Sequence, residues 1–252
     1  METSRVELPA VFEEAPIDQL VHLIADMMER LMSHNDRIPL SPECLTRFHS
    51  RSAPSISVLD YLKRIVKFTN VEKSCLLITL YYIDRICTRM PLFTLSSLTC
   101  HRFTIASITV SSKGLCDTFC PNHLYAKVGG ISVTELNILE REFLSMIDWR
   151  LMCTREILQD YYVNLVRTHS TAKFVINGAQ SPSTSSDSDL DMDSGHSSPP
   201  SPSENPSRWS RPSTAEPSIM QDLSQRPTIE QNMAFAALQQ SQDYTNSVTE
   251  RK

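Results

Sequence analysis

Glycine is scarce in this chain, with only five among 252 residues, and this scarcity limits the chemistry that the sequence can support. Phosphate-binding loops need several glycines so that the backbone can approach the ligand, and no such loop is present. The chain also has no Gly-x-Ser-x-Gly nucleophile motif and no His-Glu-x-x-His zinc motif. These absences argue against a self-contained enzyme, and the sequence predicts no catalytic residue and no cofactor.

Paired cysteines and long apolar runs are missing as well. The seven cysteines include no Cys-x-x-Cys, and most lie in apolar helical patterns, where a free cysteine behaves as a small hydrophobe. Cys116, Cys120 and His123 have an unusual spacing for structural zinc and no evident fourth ligand, so no metal site is predicted. No window approaches the roughly 18 apolar residues of a membrane span, and no signal pattern opens the chain. We therefore expect a soluble intracellular protein without membrane contact.

The charge is distributed unevenly along the chain. The net charge is −5, so simple coating of nucleic acid or of an anionic membrane is not expected. Residues 45–113 nevertheless hold ten Lys and Arg against three Asp and Glu, whereas residues 1–44 hold three against nine. A basic face beside an acidic segment suits a partner-binding protein, although the same pattern fits ordinary solvated faces.

The composition changes near residue 170. The preceding residues carry most of the Leu, Ile, Val and Phe, whereas residues 171–252 are dominated by Ser, Pro, Gln, Asp and Thr. Such a segment buries too little apolar surface to offset its ordering entropy, so we predict a disordered tail. Within it, Ser181, Ser198 and Ser201 each precede a proline, which is the minimal site of proline-directed kinases, and we expect their phosphorylation.

Hydrophobic periodicity predicts helices and gives no convincing strand signal. An amphipathic helix is expected at about residues 17–33. Ser57-x-x-Asp60 and Ser132-x-x-Glu135 are capping boxes, and each opens a further helix. The helix that ends near Cys87 is apolar almost all round, so we predict that it is central and buried. With a helix ending at Gly114 and a short one after Asn122, five closely spaced helices form a globular all-α domain.

The stretch from Tyr125 to Leu151, YAKVGGISVTELNILEREFLSMIDWRL, is the most informative part of the chain. It ends a short helix on two glycines and restarts a helix with one apolar face. Its sequence resembles the end of a cyclin box, and in particular the box of the fungal phosphate-system cyclins. The resemblance covers roughly residues 48–155, with an N-terminal segment 1–47 before it and a short C-terminal helix at 156–170 after it.

The resemblance implies both a fold and a set of functional residues. A cyclin box consists of five helices around a buried central one. Its first helix holds an Arg, its second an Asp, its third ends near a Lys and its fifth holds a Glu. The matching residues here are Arg64, Asp84, Lys113 and Glu140. By the resemblance, Arg64 and Asp84 form a structural ion pair, and Lys113 and Glu140 bind a kinase.

The resemblance also implies a function. It is that of a non-catalytic regulatory subunit, which binds and activates a cyclin-dependent kinase as a heterodimer and sets its choice of protein substrates. In the phosphate-system group the substrate is a transcription factor, an inhibitor protein restrains the complex, and the site of action is the nucleus, the cytoplasm or both. Two alternatives remain: a related non-mitotic branch in glycogen metabolism or morphogenesis, and a cyclin-fold scaffold or nucleic-acid-binding protein. The basic stretch 45–113 would support the last of these, whereas the absence of a second repeat of the fold disfavours it.

Overall fold

The computed structural model describes residues 5–177, which form a helical domain with one short pair of strands. None of the helices in this range is both long enough and apolar enough to cross a membrane. The elements in chain order are β1 (Val6–Leu8), α1 (Ile17–Asn35), a 3-10 turn (Pro42–Cys44), α2 (Val58–Phe68), α3 (Lys73–Arg89), α4 (Cys100–Leu115), α5 (Asn122–Gly129), α6 (Val133–Met146), α7 (Arg155–Thr168) and β2 (Phe174–Ile176).

Five helices, α2 to α6, make up the predicted bundle, with α1 before them and α7 after them. The prediction of an all-α fold is therefore confirmed for the described residues. The capping residues fix where two of these helices begin, because Ser57 accepts a hydrogen bond from the Asp60 N–H and Ser132 accepts one from the Glu135 N–H. Gly130 ends α5 with a φ of 71°, a left-handed conformation that favours glycine.

The central helix of the bundle is α4, which corrects the prediction that the helix ending near Cys87 would hold this place. Between Cys100 and Ser112 every residue of α4 except Arg102 is buried, and the helix packs against α2, α3, α5 and α6. The central position of α4 was not predicted from the sequence because the helix carries many hydroxyl side chains. In the folded chain most of those hydroxyls form hydrogen bonds within the core, so their burial carries little penalty. Thr109, for example, donates to the Ile105 carbonyl at 2.7 Å. The predicted helix, α3, is also buried but exposes one side to solvent.

Aromatic rings fill the centre of the bundle between α3, α4 and α6. The ring centroids of Phe103 and Phe143 are 5.3 Å apart, and Tyr82 stands edge-on to Phe143 at the same distance. Phe48, from the loop before α2, completes the cluster. Each of these side chains is fully buried, so the cluster fixes how the three helices pack.

The two ends of the described chain meet in a parallel pair of strands. Val6, Glu7 and Leu8 of β1 pair with Phe174, Val175 and Ile176 of β2, although no strand was predicted. The pairing places residues 174–176 in the folded domain, so the boundary of the tail at residue 171 was too early. The physical reason is burial, because Phe174 and Leu8 are both enclosed by the domain and together anchor a segment whose composition is mainly polar.

Candidate protein-binding site

Lys113 and Glu140, the two residues expected to bind a kinase, lie side by side. Lys113 is in the last turn of α4 and Glu140 is in the middle of α6, the helix that packs against α4. The Nζ of Lys113 is 2.7 Å from Oε1 of Glu140. The Glu140 side chain is 12% exposed and that of Lys113 is 36% exposed. The carboxylate is therefore largely enclosed, whereas the ammonium group reaches solvent.

Asn122 completes this pair and was not identified as a functional residue from the sequence. Its Nδ2 donates to Oε2 of Glu140 at 2.6 Å, and its Oδ1 accepts a hydrogen bond from Lys113 at 3.2 Å. The same amide also donates to Asn137 on α6 at 2.7 Å. The sequence signal was weak, because Asn122 stands at the start of α5, where an asparagine is usually read as a helix-end residue. Below, Lys113, Glu140 and Asn122 are called the charged triad.

Close packing at the end of α4 holds Lys113 in place. Gly114 lies next to it, and a Cβ at this glycine would lie 2.7 Å from Cδ1 of Leu151. Leu151 belongs to the segment that leaves α6, so this segment passes directly against the last turn of α4. The absence of a side chain at Gly114 allows this approach, which helps to fix α4 and the end of α6 relative to each other.

Exposed apolar side chains accompany the triad. Phe119, in the loop between Lys113 and Asn122, is 52% exposed. Met152, which follows Leu151 in the chain, is 76% exposed. Trp149, which is 67% exposed, follows Asp148, the partner of Arg89 at the end of α3. Exposed apolar side chains together with a charged pair are typical of protein interfaces. In such interfaces the apolar groups supply buried area, and the charges fix how the two proteins are aligned.

The segment that carries Trp149 has an unusual backbone. Asp148 and Trp149 both have positive φ values, 58° and 56°, and such values are rare for a residue as bulky as tryptophan. Ion pairs hold the turn, since the Asp148 carboxylate is 3.1 Å from Arg89 and 3.6 Å from Arg150. In this conformation the indole ring of Trp149 is exposed, although its burial would remove a large apolar surface from water.

Arg64 and Asp84 have different described contacts. Arg64, on α2, stacks over the Tyr61 ring with 5.3 Å to the ring centroid and lies near Gly130 at the end of α5. Asp84, on α3, accepts a hydrogen bond from the Tyr161 hydroxyl of α7. These positions lend no support to an ion pair between Arg64 and Asp84, which stays a prediction.

The remaining predicted sites concern the tail and metal binding. Ser181, Ser198 and Ser201 lie outside the described residues. Within residues 5–177, no group of three or more His, Cys, Asp or Glu side chains is arranged to hold a metal ion. Cys116 instead lies against Cys75, with 3.3 Å between their sulfur atoms, and burial raises the pKa of the Cys116 thiol.

Sequence comparison shows which class of protein this helical bundle belongs to, namely the cyclins. The family model described as Cyclin matches residues 18–151, and the chain belongs to this family. It is similar to the Nuc-1 negative regulatory protein preg of Neurospora crassa, with 47% identity over 158 residues. It is also similar to the PHO85 cyclin PHO80 of Saccharomyces cerevisiae, with 41% identity over 178 residues, and to Cyclin-U4-1 of Arabidopsis thaliana, with 34% identity over 149 residues.

These matches cover different shares of each protein. They take in 62%, 69% and 58% of this chain, and 33%, 59% and 74% of preg, PHO80 and Cyclin-U4-1, respectively. This chain therefore spans a third of preg and less than two thirds of PHO80, so preg in particular is a much longer protein. The prediction of a phosphate-system type of cyclin is confirmed at the level of the family, since this chain is a homologue of PHO85 cyclins.

Proposed function

We propose that this protein is the regulatory, non-catalytic subunit of a cyclin-dependent kinase of the PHO85 type. The charged triad carries the proposal. Its Glu140 is enclosed between α4, α5 and α6, while its Lys113 is held at 2.7 Å from Glu140 and still reaches solvent. The homology to proteins named PHO85 cyclins points to the class of kinase.

The triad is built to present one cation to a partner. A lysine ammonium has three N–H donors, and Lys113 directs one to Glu140 and one to Asn122. The third is available to a carbonyl or carboxylate of a bound protein. Because the other two contacts fix the ammonium, little side-chain entropy is lost when the partner binds.

The proposed mechanism is stabilisation of the active kinase conformation. A kinase is active when a glutamate on its mobile helix pairs with the lysine that contacts ATP. The cyclin would bind this mobile helix only in its active position, and this difference in affinity shifts the kinase towards activity. Phe119 and Met152 would supply apolar contacts, while Lys113 would set the register.

We further propose a role in phosphate signalling, in which the complex phosphorylates a transcription factor and an inhibitor protein restrains it. The support is the resemblance of the Tyr125–Leu151 stretch to phosphate-system cyclins, together with the similarity to preg and PHO80. Such a complex would act in the nucleus, the cytoplasm or both.

The test is purification of the full chain with each cyclin-dependent kinase of its host, followed by a kinase assay on a transcription-factor substrate. We expect one kinase to co-purify and to gain activity at least tenfold. Failure of every kinase to bind the folded chain would refute the proposal. Binding without activation would refute the mechanism but not the partnership.

A further inference from the structure

Two cysteine side chains lie in contact where the end of α4 packs near the start of α3. Cys75 is at the start of α3 and is fully buried, whereas Cys116 directly follows α4 and is half-buried. Their sulfur atoms are 3.3 Å apart, although the two residues stand 41 positions apart in the chain. Both are free thiols. Carbon atoms pack at about 3.5–4.0 Å, and sulfur is larger than carbon, so the two thiols are in close contact.

The backbone holds one of these cysteines firmly and leaves the other some freedom. The Cys75 N–H donates to the Glu72 carbonyl at 3.0 Å, at the start of α3. The Cys116 N–H donates to the Ser112 carbonyl at 3.2 Å, and Cys116 then begins the loop that leads to α5. The sulfur atoms of a disulfide are about 2.05 Å apart, so bond formation requires an approach of about 1.2 Å. Because the loop begins at Cys116, this residue can move towards Cys75.

The surroundings of the pair favour the neutral thiol over the thiolate. Burial, then the Cys75 thiol and then the Glu72 carboxylate raise the pKa of the Cys116 thiol. Because the thiolate is the form that attacks a disulfide, oxidation of the pair is slow at neutral pH. A stabilised reduced form is what makes a disulfide strongly oxidising, and these surroundings do not stabilise the thiolate. A disulfide at this place should therefore persist until a thiol reductant removes it.

The pair lies close along the chain to the charged triad. Cys116 follows Lys113 by three residues. The loop that it begins carries the exposed Phe119 and leads to Asn122. The contact between Lys113 and Asn122 is 3.2 Å long, whereas the two bonds to Glu140 are 2.7 Å and 2.6 Å. A displacement of Cys116 by about 1 Å would therefore break the contact between Lys113 and Asn122 first.

We propose that Cys75 and Cys116 are a reversible redox site, at which a low-molecular-weight disulfide such as oxidised glutathione produces a disulfide bond within the domain. The Cys116 thiolate attacks one sulfur of oxidised glutathione, which releases one glutathione molecule and leaves a mixed disulfide on Cys116. The Cys75 thiol then loses its proton and attacks the Cys116 sulfur, which releases the second glutathione molecule. Two protein thiols are thus oxidised, and one glutathione disulfide is reduced to two thiols.

The disulfide weakens the binding of the kinase, a consequence that rests on the proposed function. The bond pulls the start of the loop towards α3 and away from the position in which Asn122 meets Lys113. The loss of one hydrogen bond corresponds to a rise in Kd of about threefold or more. The kinase is therefore bound more tightly under reducing conditions than under oxidising conditions.

The test of the redox site is disulfide mapping of the full chain. The protein is incubated in glutathione buffers of increasing oxidised fraction, the remaining thiols are blocked with iodoacetamide, and linked peptides are identified by mass spectrometry. We expect a link between Cys75 and Cys116 that dithiothreitol removes. The oxidised chain should also melt about 5 °C or more above the reduced chain, because a link across 41 positions restricts the unfolded chain.

Serine substitutions provide the controls. Cys116→Ser replaces a half-buried thiol and should abolish both the link and the rise in melting temperature. Cys120→Ser, in the same loop, should leave both unchanged. So should Cys153→Ser, which replaces another half-buried thiol, one that donates to the Thr154 carbonyl at 3.6 Å. Circular dichroism checks that each variant is folded.

Kinase binding is measured with chain that has been oxidised, freed of glutathione and only then mixed with untreated kinase, so that the cysteines of the kinase are not altered. Oxidation should raise the Kd of the wild type about threefold or more. The Kd of Cys116→Ser should be the same before and after the treatment. If the reduced wild type binds no kinase, the proposed function fails, and the disulfide mapping still decides whether the redox site exists.

Two results would overturn the redox site. The first is absence of the link between Cys75 and Cys116 in fully oxidised glutathione. The second is a link from Cys116 to Cys120, or to glutathione alone, in its place. An unchanged Kd for chain in which the Cys75–Cys116 link has been verified would overturn the consequence for the kinase.

Discussion

The charged triad makes the sharpest prediction, because it predicts separate effects on stability and on kinase binding. Replacing Lys113 with alanine removes the cation from Glu140, whose side chain is only 12% exposed. Asn122 remains as a hydrogen-bond donor to Glu140 at 2.6 Å. A lost hydrogen bond to a charged group costs about 1.5–3 kcal/mol. Since Lys113 is itself a third exposed, we expect the free energy of unfolding to fall by about 1–2 kcal/mol.

The expected loss of kinase affinity is larger. Truncating a charge that is hydrogen-bonded and buried at an interface costs about 2–5 kcal/mol, and 2 kcal/mol corresponds to about a 30-fold rise in Kd. Isothermal titration calorimetry of the full chain with its kinase would measure Kd, and urea denaturation would measure stability. Lys113→Ala should remain folded and show a rise in Kd of about 30-fold or more.

A second ion pair between the same two helices provides the matched control. Arg102 of α4 lies 2.5 Å from Glu135 of α6, with side chains 23% and 34% exposed. Arg102→Ala should lower the stability by a similar amount, because it also breaks an α4–α6 ion pair, but should leave the kinase Kd within about threefold. The reasoning is refuted if both variants weaken kinase binding equally, or if Lys113→Ala lowers the stability and leaves Kd unchanged.

Three further predictions concern the stability of the domain. Gly130→Ala should lower the free energy of unfolding by about 1–2 kcal/mol, measured by urea denaturation, because the φ of 71° strains a residue with a Cβ. Burial lowers the pKa of His101 below its ordinary 6.5, so the unfolded chain takes up its proton first. The stability that the neutral His101 contributes is therefore complete above about pH 6.5 and is lost as the pH falls below it. When melting curves between pH 5 and 7 are used to follow the free energy of unfolding against pH, His101→Gln should reduce its slope by up to about 1.4 kcal/mol per pH unit. Thr79→Val should cost about 1–2 kcal/mol by denaturation, since it removes a buried 2.9 Å hydrogen bond to Ser107, and Thr79→Val/Ser107→Ala should cost less than the sum of its two single changes.

Each of these predictions has an outcome that contradicts it. An unchanged stability for Gly130→Ala would mean that the turn relaxes without strain. An unchanged pH slope for His101→Gln would assign the slope to the other histidines whose pKa burial lowers, such as His22 and His49. Strict additivity at Thr79 and Ser107 would show that the two hydroxyls do not depend on each other.

The starts and ends of several helices could be predicted from sequence patterns that act over a few residues. Ser57 and Ser132 predicted helix starts because a cap needs only its own side chain and the N–H three residues on. Gly130 predicted a helix end for an equally local reason, its tolerance of positive φ. The residues of the candidate pair, Lys113 and Glu140, were chosen from the sequence only through the resemblance to cyclins, since an isolated lysine and glutamate carry no signal of their own.

Tertiary structure decided the features that depend on distant parts of the chain. Asn122 meets Lys113 and Glu140 because α5 packs beside α4 and α6. The strand β2 forms by pairing with β1, which lies over 160 residues away in the chain. Helix α4 can occupy the centre of the bundle because most of its buried hydroxyl groups form hydrogen bonds within the helix or with α3. A hydropathy pattern does not reveal such bonds. The sequence by itself determined which segments become helices and which family the chain resembles, because both are set by local patterns. The tertiary structure decided which polar groups meet, because such contacts depend on how the helices pack.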